Sequence, residues 1–123
     1  LLGGKEFKIG KKKNSIIGFS LKVVEIGGQR YTPLDLEQSI ATHHAVYVDS
    51  LAFTKKTKDF FKMDFRVRYR LNAKKCSHEF AFELGNVFNR KNIAGFRYNP
   101  YTNEIENIYD LPLIPLASYR IEF

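Results

Sequence analysis

Residues 61–72 read FKMDFRVRYRLN and divide by parity into two sets of different chemistry. Phe61, Met63, Phe65, Val67, Tyr69 and Leu71 fall on one side, and Lys62, Asp64, Arg66, Arg68, Arg70 and Asn72 on the other. Successive side chains of a strand point to opposite faces of its sheet, so strict alternation over this length fits a β-strand far better than a helix. A chain built around such a strand must place its two faces in different surroundings.

Three further segments repeat the pattern. Over residues 15–24 the apolar parity is Ile17, Phe19, Leu21 and Val23, with Lys22 on the opposite side. Over residues 78–88, Phe80, Phe82, Leu84 and Phe88 alternate with Glu79, Ala81, Glu83 and Gly85, and Asn86 is the one polar residue on the apolar side. The last segment sets Leu113, Pro115, Ala117, Tyr119, Ile121 and Phe123 against Leu116, Ser118, Arg120 and Glu122. With a strand near residues 5–9, the chain is expected to form about five strands.

Two situations produce this alternation. A soluble antiparallel sheet packs one face on a core and wets the other, whereas a membrane β-barrel turns its apolar face to lipid and its polar face to the lumen. A strand over residues 60–72 spans roughly 43 Å at about 3.3 Å per residue, longer than the usual globular strand and enough to cross a bilayer at a steep tilt. The apolar parity is rich in Phe and Tyr, the material of an interfacial girdle in a chain without Trp. Connections alternate in length: residues 11–14 and 74–77 are short, and residues 32–58 and 90–111 are long and polar, as in barrels with short periplasmic turns and long external loops.

Composition is compatible with this reading. The chain has 123 residues, 44% of them hydrophobic, and no apolar run of the length a membrane helix needs. It reads as one domain over residues 1–123. Its single cysteine, Cys76, forms no internal disulfide and reads as a turn residue. Without an initiating Met, and with too few strands to enclose a barrel, the chain is expected to be a fragment lacking plug and upstream strands.

The carboxyl end reads SYRIEF, with Tyr119, Ile121 and Phe123 on one parity, and resembles the terminal signal read by the barrel-assembly machinery of Gram-negative outer membranes. Together with GGQRYTPLDL at 27–36, FELGNVFNRKNI at 82–93, YNPYTNEIENIY at 98–109 and LPLIPLASYRIEF at 111–123, the chain resembles the last strands of TonB-dependent outer-membrane receptors. The type it is most similar to carries an N-terminal carboxypeptidase-regulatory-like domain. The resemblance implies an all-β fold of antiparallel up-and-down strands, the last five or so of a large transmembrane barrel, in the outer membrane. It also implies transport of a scarce nutrient driven through TonB, which would act on the missing N-terminal part. Expected partners are outer-membrane lipid, the rest of the barrel and its plug, and the assembly machinery.

On that reading each face has a role. Lys22, Lys62, Asp64, Arg66, Arg68, Arg70, Glu79, Glu83, Arg120 and Glu122 are expected to face the lumen, and Ile17, Phe19, Leu21, Val23, Phe61, Met63, Phe65, Val67, Tyr69, Leu71, Phe80, Phe82 and Leu84 to face lipid. Tyr119, Ile121 and Phe123 form the assembly signal. Residues 11–14 and 74–77 become periplasmic turns. Residues 96–98 and 104–109 flank Asn99, Pro100 and Asn103, which favour a turn, so a hairpin is expected there. Residues 32–58 show no strong periodicity and are expected to be more mobile or to depend on the plug.

The alternative is a small basic soluble β-domain that binds nucleic acid or another anionic partner, since the net charge is +7 and FKMDFRVRYR interleaves aromatic and basic residues. Single-strand binding needs both sets along one groove, and parity separates them, so nucleic acid is not an expected partner. No enzyme is expected. Glu79 and Glu83 stand about 13 Å apart on an extended chain, too far for paired carboxylates, and Ser77 beside His78 lacks a nucleophile elbow. His43 and His44 lack further ligand spacing, so neither metal nor cofactor is expected. No helix pattern follows Gly27 and Gly28, which points to a strand-end turn or bulge and not a phosphate loop.

Overall fold

The alternating segments form strands that pair into one meander. The structure is a computed structural model that describes residues 1–10 and 14–123. Strands β1 (Leu2–Ile9), β2 (Ser15–Ile26), β3 (Arg30–Tyr31), β4 (Lys55–Lys56), β5 (Phe60–Asn72), β6 (Ser77–Gly85), β7 (Ile93–Asn99), β8 (Glu104–Tyr109) and β9 (Ile114–Glu122) follow in chain order, with helix α1 (Leu36–Thr42) and a 3-10 turn (Asp49–Leu51) between β3 and β4. The protein is all-β. Its main sheet has five strands in the order β1-β2-β5-β6-β9.

Neighbouring strands of this sheet run antiparallel, as the register of β1 with β2, β5 with β6, and β6 with β9 shows. Contacts between β2 and β5 have the same sense: Asn72 donates its N–H to Asn14 (2.8 Å), Tyr69 meets Ser15, and the Phe65 ring stacks on Phe19, so one strand descends as the other ascends. The strand expected over residues 60–72 forms over that whole span. No Gly or Pro interrupts it, and its β-branched and aromatic residues suit a pleated surface.

At the end of β5 the chain reverses through a tight turn with Lys74 and Lys75 at its tip, closed by the Ala73 N–H donating to the Cys76 carbonyl at 2.9 Å. The other short turn, expected over residues 11–14, lies outside the described residues except for Asn14.

Strand β6 stops at Gly85, three residues short of the sequence expectation, and Asn86 is the reason. Asn86 adopts a left-handed backbone (φ 51) that ends the strand. Its side chain, almost wholly buried, donates to the carbonyls of Arg90 and Leu111 (both 3.0 Å) and accepts from the Arg90 N–H (3.1 Å). The polar residue on the apolar parity is therefore a turn-former that satisfies three backbone groups.

The chain divides into two compact units. The first comprises Leu1–Val24, Lys62–Arg90 and Leu111–Phe123 and holds the five-stranded sheet; the second comprises Glu25–Phe61 and Lys91–Asp110 and is made from the two long connections. Within the second unit, β3 pairs with β4 and β7 with β8. The β7–β8 hairpin forms where Asn99, Pro100 and Asn103 predicted a turn, with Asn103 at φ 54. The 32–58 connection carries a helix that hydrophobic periodicity did not reveal. The Asp35 carboxylate caps it by accepting the Gln38 N–H (3.0 Å), and His43 ends it at φ 55. Ser39, fully buried, accepts the Val46 N–H (3.0 Å) and ties the returning chain to the helix.

Gly28 answers the question raised by the Gly27-Gly28 pair. A Cβ at Gly28 would lie 1.9 Å from the Thr57 carbonyl oxygen, so the backbone approach is open to glycine alone. The Gly28 N–H is taken by the Asp59 carboxylate at 2.7 Å. This is a close strand-end contact with no helix after it.

Candidate functional site

Antiparallel register carries parity from strand to strand, because residues directly opposite each other share a face. Phe65, Val67, Tyr69 and Leu71 lie opposite Leu84, Phe82, Phe80 and His78, which in turn lie opposite Pro115, Ala117, Tyr119 and Ile121. On the other side of β5, Phe19 stacks on Phe65 and also meets Phe7 edge-on. Ile17, Phe19 and Leu21 thus join the same face, which also carries Lys5, its amine 5.3 Å from the Phe7 ring centre.

The opposite face collects the charges. Arg66, Arg68 and Arg70 lie opposite Glu83, Ala81 and Glu79, and Glu79 lies opposite Arg120. Arg68 pairs with Glu6 of β1 on one side and with Glu79 of β6 (3.7 Å) on the other. The Glu6 contact crosses β2 at Gly18, whose absent side chain leaves room: a Cβ there would sit 3.4 Å from Glu6 and 3.8 Å from Arg68. Arg70 reaches across β6 to Glu122 of β9 (2.9 Å), and Arg120 also approaches Glu122 (3.8 Å). Lys62 pairs with Asp64 (3.7 Å), whose carboxylate also accepts the Asn86 N–H (2.9 Å). Side chains from β1, β5, β6 and β9 thereby form a charge network across the sheet.

Burial is distributed in an unusual way between the faces. Among the described residues, the buried hydrophobic side chains are Ala81 and Tyr98 alone, and Ala81 lies on the charged face, covered by its longer neighbours. The apolar face is half open: Phe80, Phe82 and Tyr119 are 50%, 45% and 51% exposed, while Phe65, Val67, Tyr69 and Leu71 at its centre are half-buried. Phe123 follows β9 and is fully exposed. Of the residues expected on the apolar face, Phe61 belongs to the second unit, where the Asn92 side chain holds both its N–H (3.1 Å) and its carbonyl (2.8 Å).

The second unit contains a feature that sequence reasoning missed. A cavity of about 430 Å³ is lined by Arg30, Tyr31, Tyr47, Asp49, Phe53 and Phe96 among others, with the Tyr31 and Phe96 rings 4.3 Å apart. Phe53 adopts φ 55, an uncommon conformation for a bulky residue, and is fixed by the Thr32 hydroxyl accepting its N–H (3.2 Å) and by Arg30 donating to its carbonyl (3.5 Å). These residues are up to 66 positions apart in the chain, so no local motif announced them.

The charges of the β7–β8 hairpin are also organised. Glu106 accepts from Asn99 (2.6 Å) and from Arg97 (2.8 and 2.9 Å), and these hydrogen bonds, Asn99 first, hold its carboxyl below the usual glutamate range. No helix among the described residues is long and apolar enough to cross a membrane. Family models, curated proteins and solved structures yield no match to this chain.

Proposed function

We propose that this chain is a wall and assembly segment of an outer-membrane transporter of the TonB-dependent receptor type, with its apolar face toward lipid and its charged face toward lumen and plug. The observation that carries the reading is an apolar face whose rings on β6 and β9 stay about half exposed, opposite a face whose charges pair with one another across the strands. A water-soluble sheet packs such an aromatic face on a core; here Phe80, Phe82 and Tyr119 remain as exposed as the paired charges on the other side.

Strand number bears on how such a sheet is completed. With five alternating strands, β1 and β9 run the same way. Copies of this sheet joined edge to edge in a ring would need a parallel seam, whereas bacterial outer-membrane barrels are antiparallel throughout. Strands of a larger barrel are therefore the favoured neighbours of both edges. The nucleic-acid alternative loses ground because Arg68 and Arg70 are engaged by Glu6, Glu79 and Glu122 on the face away from the aromatic rings.

Fractionation of cells, with detection through an antibody against the loop around residues 99–107, tests the reading. A large band in the outer membrane whose mobility changes on heating supports it. A soluble band near 14.3 kDa overturns it.

A further inference from the structure

The apolar face is not uniform along its strands. Around Phe65, Val67, Phe82, Leu84 and Ala117 it is hydrocarbon alone. Nearer the β5–β6 turn, four strands in succession bring polar atoms onto the same face: Ser15 of β2, Tyr69 of β5, His78 of β6 and Tyr119 of β9. The Tyr69 hydroxyl donates to Ser15 Oγ (3.3 Å), and Tyr119 Oη lies 2.7 Å from His78 Nδ1, whose other ring nitrogen is 3.3 Å from Cys76 Sγ. This row spans three strand spacings, about 14 Å. At the turn itself Lys74 and Lys75 are exposed and enter none of the ion pairs formed among the described residues. Glu122, the carboxylate at this end of β9, is already shared by Arg70 and Arg120.

We propose that this end of the sheet binds the headgroup of an anionic phospholipid, with Lys74 and Lys75 on the phosphate and the Ser15, Tyr69, His78, Tyr119 row at the boundary between headgroup and acyl chain. The inference rests on the membrane reading and goes beyond it by fixing the level of the interface and its lipid preference. Amphipathic rings settle where an apolar surface gives way to polar headgroups. Two free ammonium groups just beyond them meet the plane in which phospholipid phosphates lie. Each lysine near an anionic surface favours binding roughly fivefold, and the pair roughly 25-fold. Inorganic phosphate would engage the lysines but leave the aromatic row without a partner, so a lipid is the ligand that uses both.

The test reconstitutes the full-length protein into phosphatidylcholine vesicles containing a trace of photoactivatable phosphatidylglycerol or, separately, of photoactivatable phosphatidylcholine, and maps the crosslinked peptides by mass spectrometry. Phosphatidylglycerol is expected to label residues 69–80 and 117–123 in preference to phosphatidylcholine. K74Q/K75Q should remove that preference, a fall of roughly 25-fold, while K55Q/K56Q, the same charge change in the second unit, should leave it intact. Equal labelling by both lipids would overturn the headgroup site and leave the wall reading standing. Absence of labelling on any strand of the sheet by either lipid would overturn both. The headgroup inference also fails if millimolar inorganic phosphate abolishes the preference, or if K55Q/K56Q lowers it as much as K74Q/K75Q.

Discussion

Asn86 is a residue whose chemistry outweighs its size. Its amide satisfies two carbonyls and an N–H that the turn after β6 would otherwise bury without partners, and it accepts a positive φ that few other side chains tolerate. Asn86→Asp keeps the shape and the capacity for positive φ but replaces two donors with an acceptor facing the carbonyls of Arg90 and Leu111. The expected cost is about 3 kcal/mol, read as a lower urea midpoint for the detergent-folded protein with an unchanged slope. Asn86→Gly, which relieves the backbone but loses all three bonds, should fall no closer to the parent than the Asp variant. Parity placed Asn86 on the apolar side of β6 because sequence alternation carries no record of where a strand stops. Gly28 was only partly legible: its pairing with Gly27 outside any helix pattern pointed to a strand-end turn or bulge, whereas the close approach of the Thr57 carbonyl depends on a residue 29 positions away.

At the scale of the element, β5 was legible from end to end because its alternation, length and lack of Gly or Pro all pointed the same way. The face assignment leads to a direct comparison. Phe65→Arg should hinder membrane folding of the complete protein by roughly 2 to 4 kcal/mol if residue 65 lies near the bilayer midplane, whereas Arg66→Gln on the opposite parity should change it by well under half as much. Equal effects in a vesicle-folding titration would show that the assignment of faces is wrong. Helix α1 was missed for a reason of length: seven residues complete under two turns, too few for an amphipathic period, although the Asp35-x-x-Gln38 spacing was a usable capping signal. Charge parity was likewise visible, but the partners of Arg68 and Arg70 depend on register and on the gap at Gly18, which composition does not encode. The β7–β8 hairpin offers a pH test. Because Asn99 and Arg97 lower the Glu106 pKa in the folded hairpin, their contribution is present above the ordinary glutamate value of about 4.3 and is lost as pH falls through the lower folded value. Amide protection across residues 93–109 should be unchanged at neutral pH and weaken as pH falls below the ordinary glutamate value of about 4.3, and Asn99→Ala should move that weakening upward.

For the whole molecule, the decisive quantity is the small number of hydrophobic side chains that are fully buried among the described residues. Ala81 and Tyr98 supply little of the roughly 25 cal/mol per Å² on which an ordinary domain relies to offset chain entropy. Hydrogen bonds of the five-stranded sheet and its ion pairs remain, but exposed ion pairs contribute about 0 to 1 kcal/mol each and do not replace a core. In water without amphiphile the chain is therefore expected to lack a cooperative thermal transition and to bind a dye for exposed apolar surface strongly. Adding a non-ionic detergent above its micelle concentration covers Phe19, Phe65, Phe80, Phe82 and Tyr119 and should produce strand circular dichroism with a cooperative melt. Amide protection should then be greatest in β5 and β6, the strands with neighbours on both sides, and least at the outer edges of β1 and β9. A cooperative melt in plain buffer, unchanged by detergent, would mean that the apolar face is covered by something within the chain or a second copy of it. Concentration dependence of that melt would separate the two cases, since only association between copies raises the midpoint with protein concentration.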